Sequence, residues 1–257
     1  MEINQAFTIL QKAGGIRAAR IIIENFKKIS KIKVLWFAYQ LKKGVPVAKI
    51  IHKKWFYGLP FYTNKYTLDP RPDTETLVSA VINDCITDKP LRILDLGTGT
   101  SCIIASLVKN IHNSTGVGLD KSYQAVLVAR KNVKKLGLEN KISIKRASFT
   151  LLKAVKEKFD IIVSNPPYIA KGDTNVDSGA LRDPKIALFA KNQGFADYQI
   201  IAKNAKHWLK PNGKIYLEIG IKQSEKVRSI FIEQGWTFVR TEKDLAGIDR
   251  VLIFKLS

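Results

Sequence analysis

Four consecutive residues, Asn165-Pro166-Pro167-Tyr168, have types and an order that suit chemistry. Two adjacent prolines end the apolar stretch 159–164 and remove two backbone donors. The carbonyls of the turn remain as acceptors, with an amide side chain before them and an aromatic ring after them. Such a set can cage a planar NH2 group, with two acceptors for its hydrogens and a flat face for stacking. Upstream, Asp95-Leu96-Gly97-Thr98-Gly99-Thr100-Ser101 joins a strand-like segment to a helix-like one. Glycines there let a ligand approach the backbone closely, and a helix N-terminus offers free N–H groups. Together the two segments point to transfer of a methyl group from S-adenosylmethionine to an amide or aminopurine nitrogen.

The glycine turn alone is a weak signal. It reads G-x-G-x-x-C and lacks the third glycine of a dinucleotide fingerprint. Asp95 ends one strand and is placed to reach the amino-acid portion of a cofactor. Asp120 ends the next, where a carboxylate can accept both ribose hydroxyls. The same spacing would serve a nicotinamide dehydrogenase. The Asn165 to Tyr168 cage separates the two, because a dehydrogenase has no use for acceptors aimed at an amide.

The elements that must position these residues alternate from residue 73 onward. Helices are expected over 74–84, 100–110, 122–135, 196–209 and 223–234, and strands over 91–95, 115–119, 141–145, 159–164, 214–218, 236–240 and 250–255. A long irregular segment, 169–193, follows Tyr168. This alternation predicts an α/β fold: a Rossmann-like, mostly parallel sheet with helices on both faces and an antiparallel last strand. Ligands of such sheets bind beyond the carboxyl ends of the strands, where Asp95, Asp120 and Asn165 fall. Before residue 69 the texture is helical: 5–13 up to Gly14-Gly15, 16–29, 31–43 up to Gly44, and a short turn at 45–50. A β-hairpin follows, with Lys54 to Tyr57 and Phe61 to Thr63 flanking a Gly58-Leu59-Pro60 break. The expected division is a helical substrate-docking domain with hairpin, 1–68, and a methyltransferase domain, 69–257.

Composition sets outer bounds. Apolar residues make up 46% of 257, ordinary for a globular chain. Cys85 and Cys102 are far apart and lack metal spacing, and His52, His112 and His207 are isolated, so neither a disulfide framework nor a metal site is expected. No apolar run approaches the ~18 residues of a membrane span. With an early acid, Glu2, and no signal-peptide core, a cytoplasmic location without a membrane partner is expected. The net charge is +21, and residues 1–68 hold thirteen bases against two acids, a net +11. That density suits RNA or an RNA-rich partner; lysine-rich composition bias accounts for it equally well.

Further segments carry a family likeness. Pro70-Arg71-Pro72-Asp73-Thr74-Glu75, Gly44 to Ala48, Trp55 to Tyr62, Asp183-Pro184-x-x-Ala187-Leu188 and Gly247-x-x-Arg250, with the cage, stand in the order found in one family. Over nearly its whole length the chain resembles the class I, S-adenosylmethionine-dependent N5-glutamine methyltransferases of peptide chain release factors. The resemblance implies methylation of a glutamine side-chain nitrogen in the Gly-Gly-Gln loop of class 1 release factors; a monomer is expected. It implies catalytic roles for Asn165, Pro166 and Tyr168, and substrate contacts from these and Pro167. Cofactor contacts are implied for Asp95, Gly97, Thr98, Gly99, Thr100, Ser101, Asp120, Phe149 and Asn165. The chain departs from the family at Ser148-Phe149, where an acid usually precedes the aromatic residue, and its N-terminal domain is shorter. A glutamine of a ribosomal protein, or the exocyclic NH2 of adenine in RNA or DNA, would fit the same acceptors; nucleic acid is the less favoured partner.

Overall fold

The computed structural model describes residues 1–26, 28–85, 89–150, 155–173 and 180–256. Lys27, counted above among the N-terminal bases, lies outside them, as does part of the expected irregular segment. The helical start consists of α1 (Ile3–Asn25), α2 (Lys31–Lys42) and α3 (Val47–Ile51). Gly15 breaks α1 in two with φ 84° and ψ 168°, as the glycine pair predicts. Its second half stops at Asn25, short of the expected 29. Ser30 caps α2 by accepting from the Lys33 N–H at 3.3 Å. Ala6, Leu10, Ala19, Ile22, Val34 and Phe37 form a core of their own.

The hairpin pairs β1 (Lys54–Phe56) with β2 (Leu59–Phe61). Its turn is Tyr57-Gly58, both at positive φ, 48° and 73°. A two-residue turn of this hand matches strand twist, so Leu59 and Pro60 join the second strand and the expected three-residue break is too long. Phe56 and Phe61 enter the core of the large sheet and not that of the helices.

The large sheet contains β3 (Arg92–Leu96), β4 (Thr115–Asp120), β5 (Ile142–Arg146), β6 (Phe159–Ser164), β9 (Leu209–Glu218), β10 (Trp236–Lys243) and β11 (Asp249–Leu256). Their order is β10-β11-β9-β6-β3-β4-β5. β5, β4, β3, β6 and β9 run parallel; β11 is antiparallel to both its neighbours. Pro211-Asn212-Gly213, between the expected helix 196–209 and strand 214–218, lies inside β9 at a bulge: Phe159 pairs with Leu209, but Ile161 pairs with Lys214. The helices α4 (Glu75–Asp84), α5 (Cys102–Asn110), α6 (Tyr123–Lys135), α8 (Ala196–Asn204) and α9 (Ser224–Glu233) cover its faces over two apolar cores. Within the segment after Tyr168, β7 (Ile169–Ala170) pairs with β8 (Phe189–Ala190), and α7 (Lys185–Leu188) precedes β8.

The order of strands sets the site. β3 lies centrally between β4 and β6, so the glycine turn after β3 is flanked by Asp120 at the end of β4 and Asn165 after β6. This is the crevice at which the sheet's connections change direction.

Candidate active site

The glycine turn folds as its residue types require. Gly97 and Gly99 adopt φ 76° and 52°, and a Cβ on Gly97 would point into open space. Asp120 closes the turn: its Oδ2 accepts from the Gly99 N–H at 3.0 Å and its Oδ1 from the Ser122 N–H at 2.8 Å. Burial raises its pKa, opposed by these two backbone donors. Each oxygen keeps a lone pair for a ligand hydroxyl. Phe149 presents its ring beside them, its backbone carbonyl held by Asn204 Nδ2 at 3.0 Å. Ser148 caps its own turn, accepting from the Thr150 N–H and hydroxyl, and adds no charge.

Gly97, Gly99, Asp120, Phe149, Asn165 and Pro167 line one narrow cavity of about 80 Å³. Asp95, Thr98, Thr100 and Ser101 do not reach it. They lie beneath, at most 5% exposed, and build the turn. Asp95 accepts from the Thr98 hydroxyl at 2.6 Å, and burial pushes its pKa up to about 7. Residues of the turn that point inward satisfy the strand end, while the glycines face the cavity. That division follows from backbone direction and is invisible in spacing.

The far wall comes from segments that the sequence did not mark for this purpose: Tyr66, Thr67 and Leu68 on one side, Ile186 and Ala187 of α7 on the other. Tyr66 and Ile186 are 40% and 52% exposed, so their side chains can swing without disturbing the core. A buried lysine secures this wall from the helical side. Lys49 on α3 donates to Thr63 Oγ1 at 3.0 Å, to Asn64 O at 2.7 Å and to Thr67 O at 2.5 Å. It also pairs with Asp69 at 2.6 Å and Asp183 at 3.0 Å, and Asp183 holds Arg71 at 2.7 Å. Asn132 of α6, fully buried, bridges the Tyr62 backbone to the Thr100 carbonyl.

Across the cavity stands the cage. Asn165 Nδ2 donates to Thr74 Oγ1 at 3.2 Å. No hydrogen bond reaches Asn165 Oδ1 or the Pro166 carbonyl among the described residues. The Tyr168 carbonyl accepts from Gln223 Nε2 at 2.9 Å, and its hydroxyl lies 3.5 Å from Glu218 Oε1 at the end of β9. A Cβ on Gly194 would stand 2.3 Å from the Tyr168 carbonyl oxygen, so that position must be glycine. Burial pushes Glu218 up to about 7, opposed by the Thr74 side chain and Arg250. An acid at the carboxyl end of an apolar parallel strand is itself a site signal; Glu218 was open to that reading and missed.

The connector 71–75 enters this network residue by residue. Arg71 pairs with Asp183, Asp73 with Arg250 at 3.2 Å, Thr74 with Asn165, and Glu75 accepts from the Tyr57 N–H at 2.8 Å. Among the described residues no group of three or more His, Cys, Asp or Glu could hold a metal. No described helix is long and apolar enough to cross a membrane.

Comparison with known proteins agrees with this geometry. A family described as a methyltransferase domain matches residues 87–231. The release factor glutamine methyltransferase of Shewanella oneidensis is 40% identical over 234 residues, spanning 91% of this chain and 79% of that protein. The chain belongs to the release factor glutamine methyltransferase family. A family member from Francisella tularensis is 41% identical and 78% covered. The bifunctional methyltransferase of Rickettsia typhi is 37% identical over 96% of this chain, but the chain spans only about half of that protein, 52%. Among solved structures, a methyltransferase from Pyrococcus furiosus superposes with TM-score 0.57 at 17% identity, covering 87% of this chain and 96% of that one. That likeness shows the fold alone.

Proposed function

We propose that this protein transfers a methyl group from S-adenosylmethionine to the side-chain amide nitrogen of a glutamine, in the Gly-Gly-Gln loop of class 1 release factors. The observation that carries the reading is the pair of acceptors with no hydrogen-bond partner among the described residues, Asn165 Oδ1 and the Pro166 carbonyl, in a segment whose Asn165 and Pro167 line the cavity beside the glycine turn. The residues fit the cofactor: Gly97 and Gly99 leave room for it, Asp120 has lone pairs for two ribose hydroxyls, and Phe149 offers a ring for adenine. When bound, S-adenosylmethionine supplies an electrophilic methyl on a positive sulfur.

An amide nitrogen is a poor nucleophile because its lone pair is conjugated with the carbonyl. Asn165 Oδ1 and the Pro166 carbonyl each accept one N–H, which turns the lone pair toward the methyl and favours the positive charge that develops on nitrogen. Tyr168 packs against the amide plane. The new C–N bond forms as the C–S bond breaks, the electron pair leaves on sulfur, and the methylated nitrogen then releases a proton to water. Pro167 shapes the wall between substrate and cofactor. Asp95, Thr98, Thr100 and Ser101 act from beneath, by holding the turn.

Docking falls to residues 1–68, with 69–257 as the methyltransferase domain. On α2, Ile32, Leu35, Trp36 and Tyr39 are 82%, 50%, 48% and 53% exposed. They lie at helical spacing along one face, next to Lys31, Lys42 and Lys43. This apolar stripe with a basic border suits a protein surface better than a nucleic-acid backbone. We read the enzyme as a cytoplasmic monomer. Incubation with labelled cofactor and a purified class 1 release factor tests the assignment. Label is expected in the factor and absent when the loop glutamine is replaced by asparagine; label in the replaced factor, or none in either, overturns it.

A further inference from the structure

We propose that Thr74 is a positioning residue for methyl transfer: its hydroxyl, held between the Asn165 amide and the buried Glu218 carboxylate, fixes which end of that amide faces the reacting nitrogen. The inference rests on the reading of Asn165 given above.

The two ends of an asparagine amide have nearly the same size, and a half-turn exchanges an acceptor for a donor. The cage works only if Oδ1 faces the substrate NH2; the reverse would set NH2 against NH2. Packing cannot choose between them, so a hydrogen bond must. Among the described residues Nδ2 has one partner, Thr74 Oγ1, at 3.2 Å. A hydroxyl can donate or accept, so Thr74 enforces the orientation only if its own proton is committed elsewhere.

Glu218 provides that commitment. It is 1% exposed, it lies against the Thr74 hydroxyl, and among the described residues its Oε2 has no hydrogen-bond partner. Above about pH 7 Glu218 is ionised and only accepts, and with one oxygen still without a partner among the described residues it is the strongest acceptor within reach of Thr74. With the hydroxyl proton directed to Glu218, only a lone pair remains for Asn165, which must answer with its NH2. The same carboxylate stands 3.5 Å from the Tyr168 hydroxyl, so one buried acid sets the amide through Thr74 and the ring directly. Thr74 is itself 2% exposed and fixed from both sides, by the Asp73–Arg250 pair and by Glu75 on the hairpin turn. This gives the 70–75 connector a task at the reacting nitrogen.

Thr74→Val keeps the shape and removes the hydroxyl; Thr74→Ser keeps the hydroxyl. With a release factor as substrate, Thr74→Val should lower kcat roughly 10- to 100-fold, less than the 10²–10³ for deleting an orienting group outright. Affinity for S-adenosylmethionine should stay within about twofold, and Thr74→Ser should recover kcat to within about threefold of the parent. A valine variant as fast as the parent, or a serine variant as slow as valine, overturns the proposal. A second measurement needs no substrate. By NMR hydrogen exchange, the Asn165 side-chain NH2 should be protected in the parent and in Thr74→Ser and lose protection in Thr74→Val. Equal exchange in all three proteins refutes the role of Thr74, whereas protection as expected together with an unmethylated release factor refutes only the choice of substrate.

Discussion

Replacing Glu218 by glutamine should stabilise the protein at alkaline pH and leave it nearly unchanged in acid. Glu218 is buried at the end of β9, and burial raises its pKa from 4.5 to about 7. The charged groups that face it are Arg250 from β11, Asp73 from the connector and Tyr168 after β6; the Tyr198 hydroxyl on α8 donates to its backbone carbonyl. Below 4.5 the side chain is protonated in both folded and unfolded chains. Between 4.5 and about 7 the folded chain keeps a proton that the unfolded chain has lost, so stability falls as pH rises. The gap is worth roughly 3 kcal/mol at about 1.36 kcal/mol per pH unit. Glutamine removes the ionisation and keeps the volume. Thermal unfolding at about pH 5 and about pH 8.5 should therefore show similar midpoints in acid and a higher midpoint for Glu218→Gln in base. At ~2–4 °C per kcal/mol for a chain near this size, the upper limit is about 12 °C. Asp95, also pushed up to about 7, has the same sign but is common to both proteins, so the difference isolates Glu218. A pH-independent difference, or a variant less stable in base, would show that Arg250 holds the carboxylate ionised and would refute the reasoning.

Asn165→Ala should slow methyl transfer by about 10²–10³ while leaving cofactor affinity largely intact; near-normal turnover would sink the cage mechanism. Asp120→Ala should weaken S-adenosylmethionine binding, with roughly 1.5–3 kcal/mol per charged hydrogen bond as an upper guide. An unchanged dissociation constant in calorimetry would place the ribose elsewhere. Reversing Lys28, Lys42 and Lys43 should raise KM for an intact release factor and barely alter the rate on a short glutamine peptide. Physiological salt, with its Debye length of about 8 Å, should have the same effect, and indifference to both would mark the charge as composition bias.

Much of this protein follows from local order along the chain. The Gly97-x-Gly99 turn, the acids that end β3 and β4, and the Asn165 to Tyr168 segment are readable because each is contiguous and each strand end faces the same edge of a parallel sheet. The elements around them alternate with periods that survive without tertiary help, which is why a mostly parallel sheet with an antiparallel last strand was within reach. Tertiary structure decided what no local pattern encodes. Which turn residues face the cavity depends on backbone direction, so Gly97 lines it while Asp95 lies under it. The parallel pairing of β6 with β9 brings Glu218 beside Tyr168, 50 residues away, and the connector before α4 carries Thr74 to Asn165 across 91 residues. Lys49, in sequence only one of the thirteen N-terminal bases, is buried because two carboxylates and three oxygens from distant segments converge on its ammonium. A charge can be buried only with partners, and the partners exist only in the folded chain.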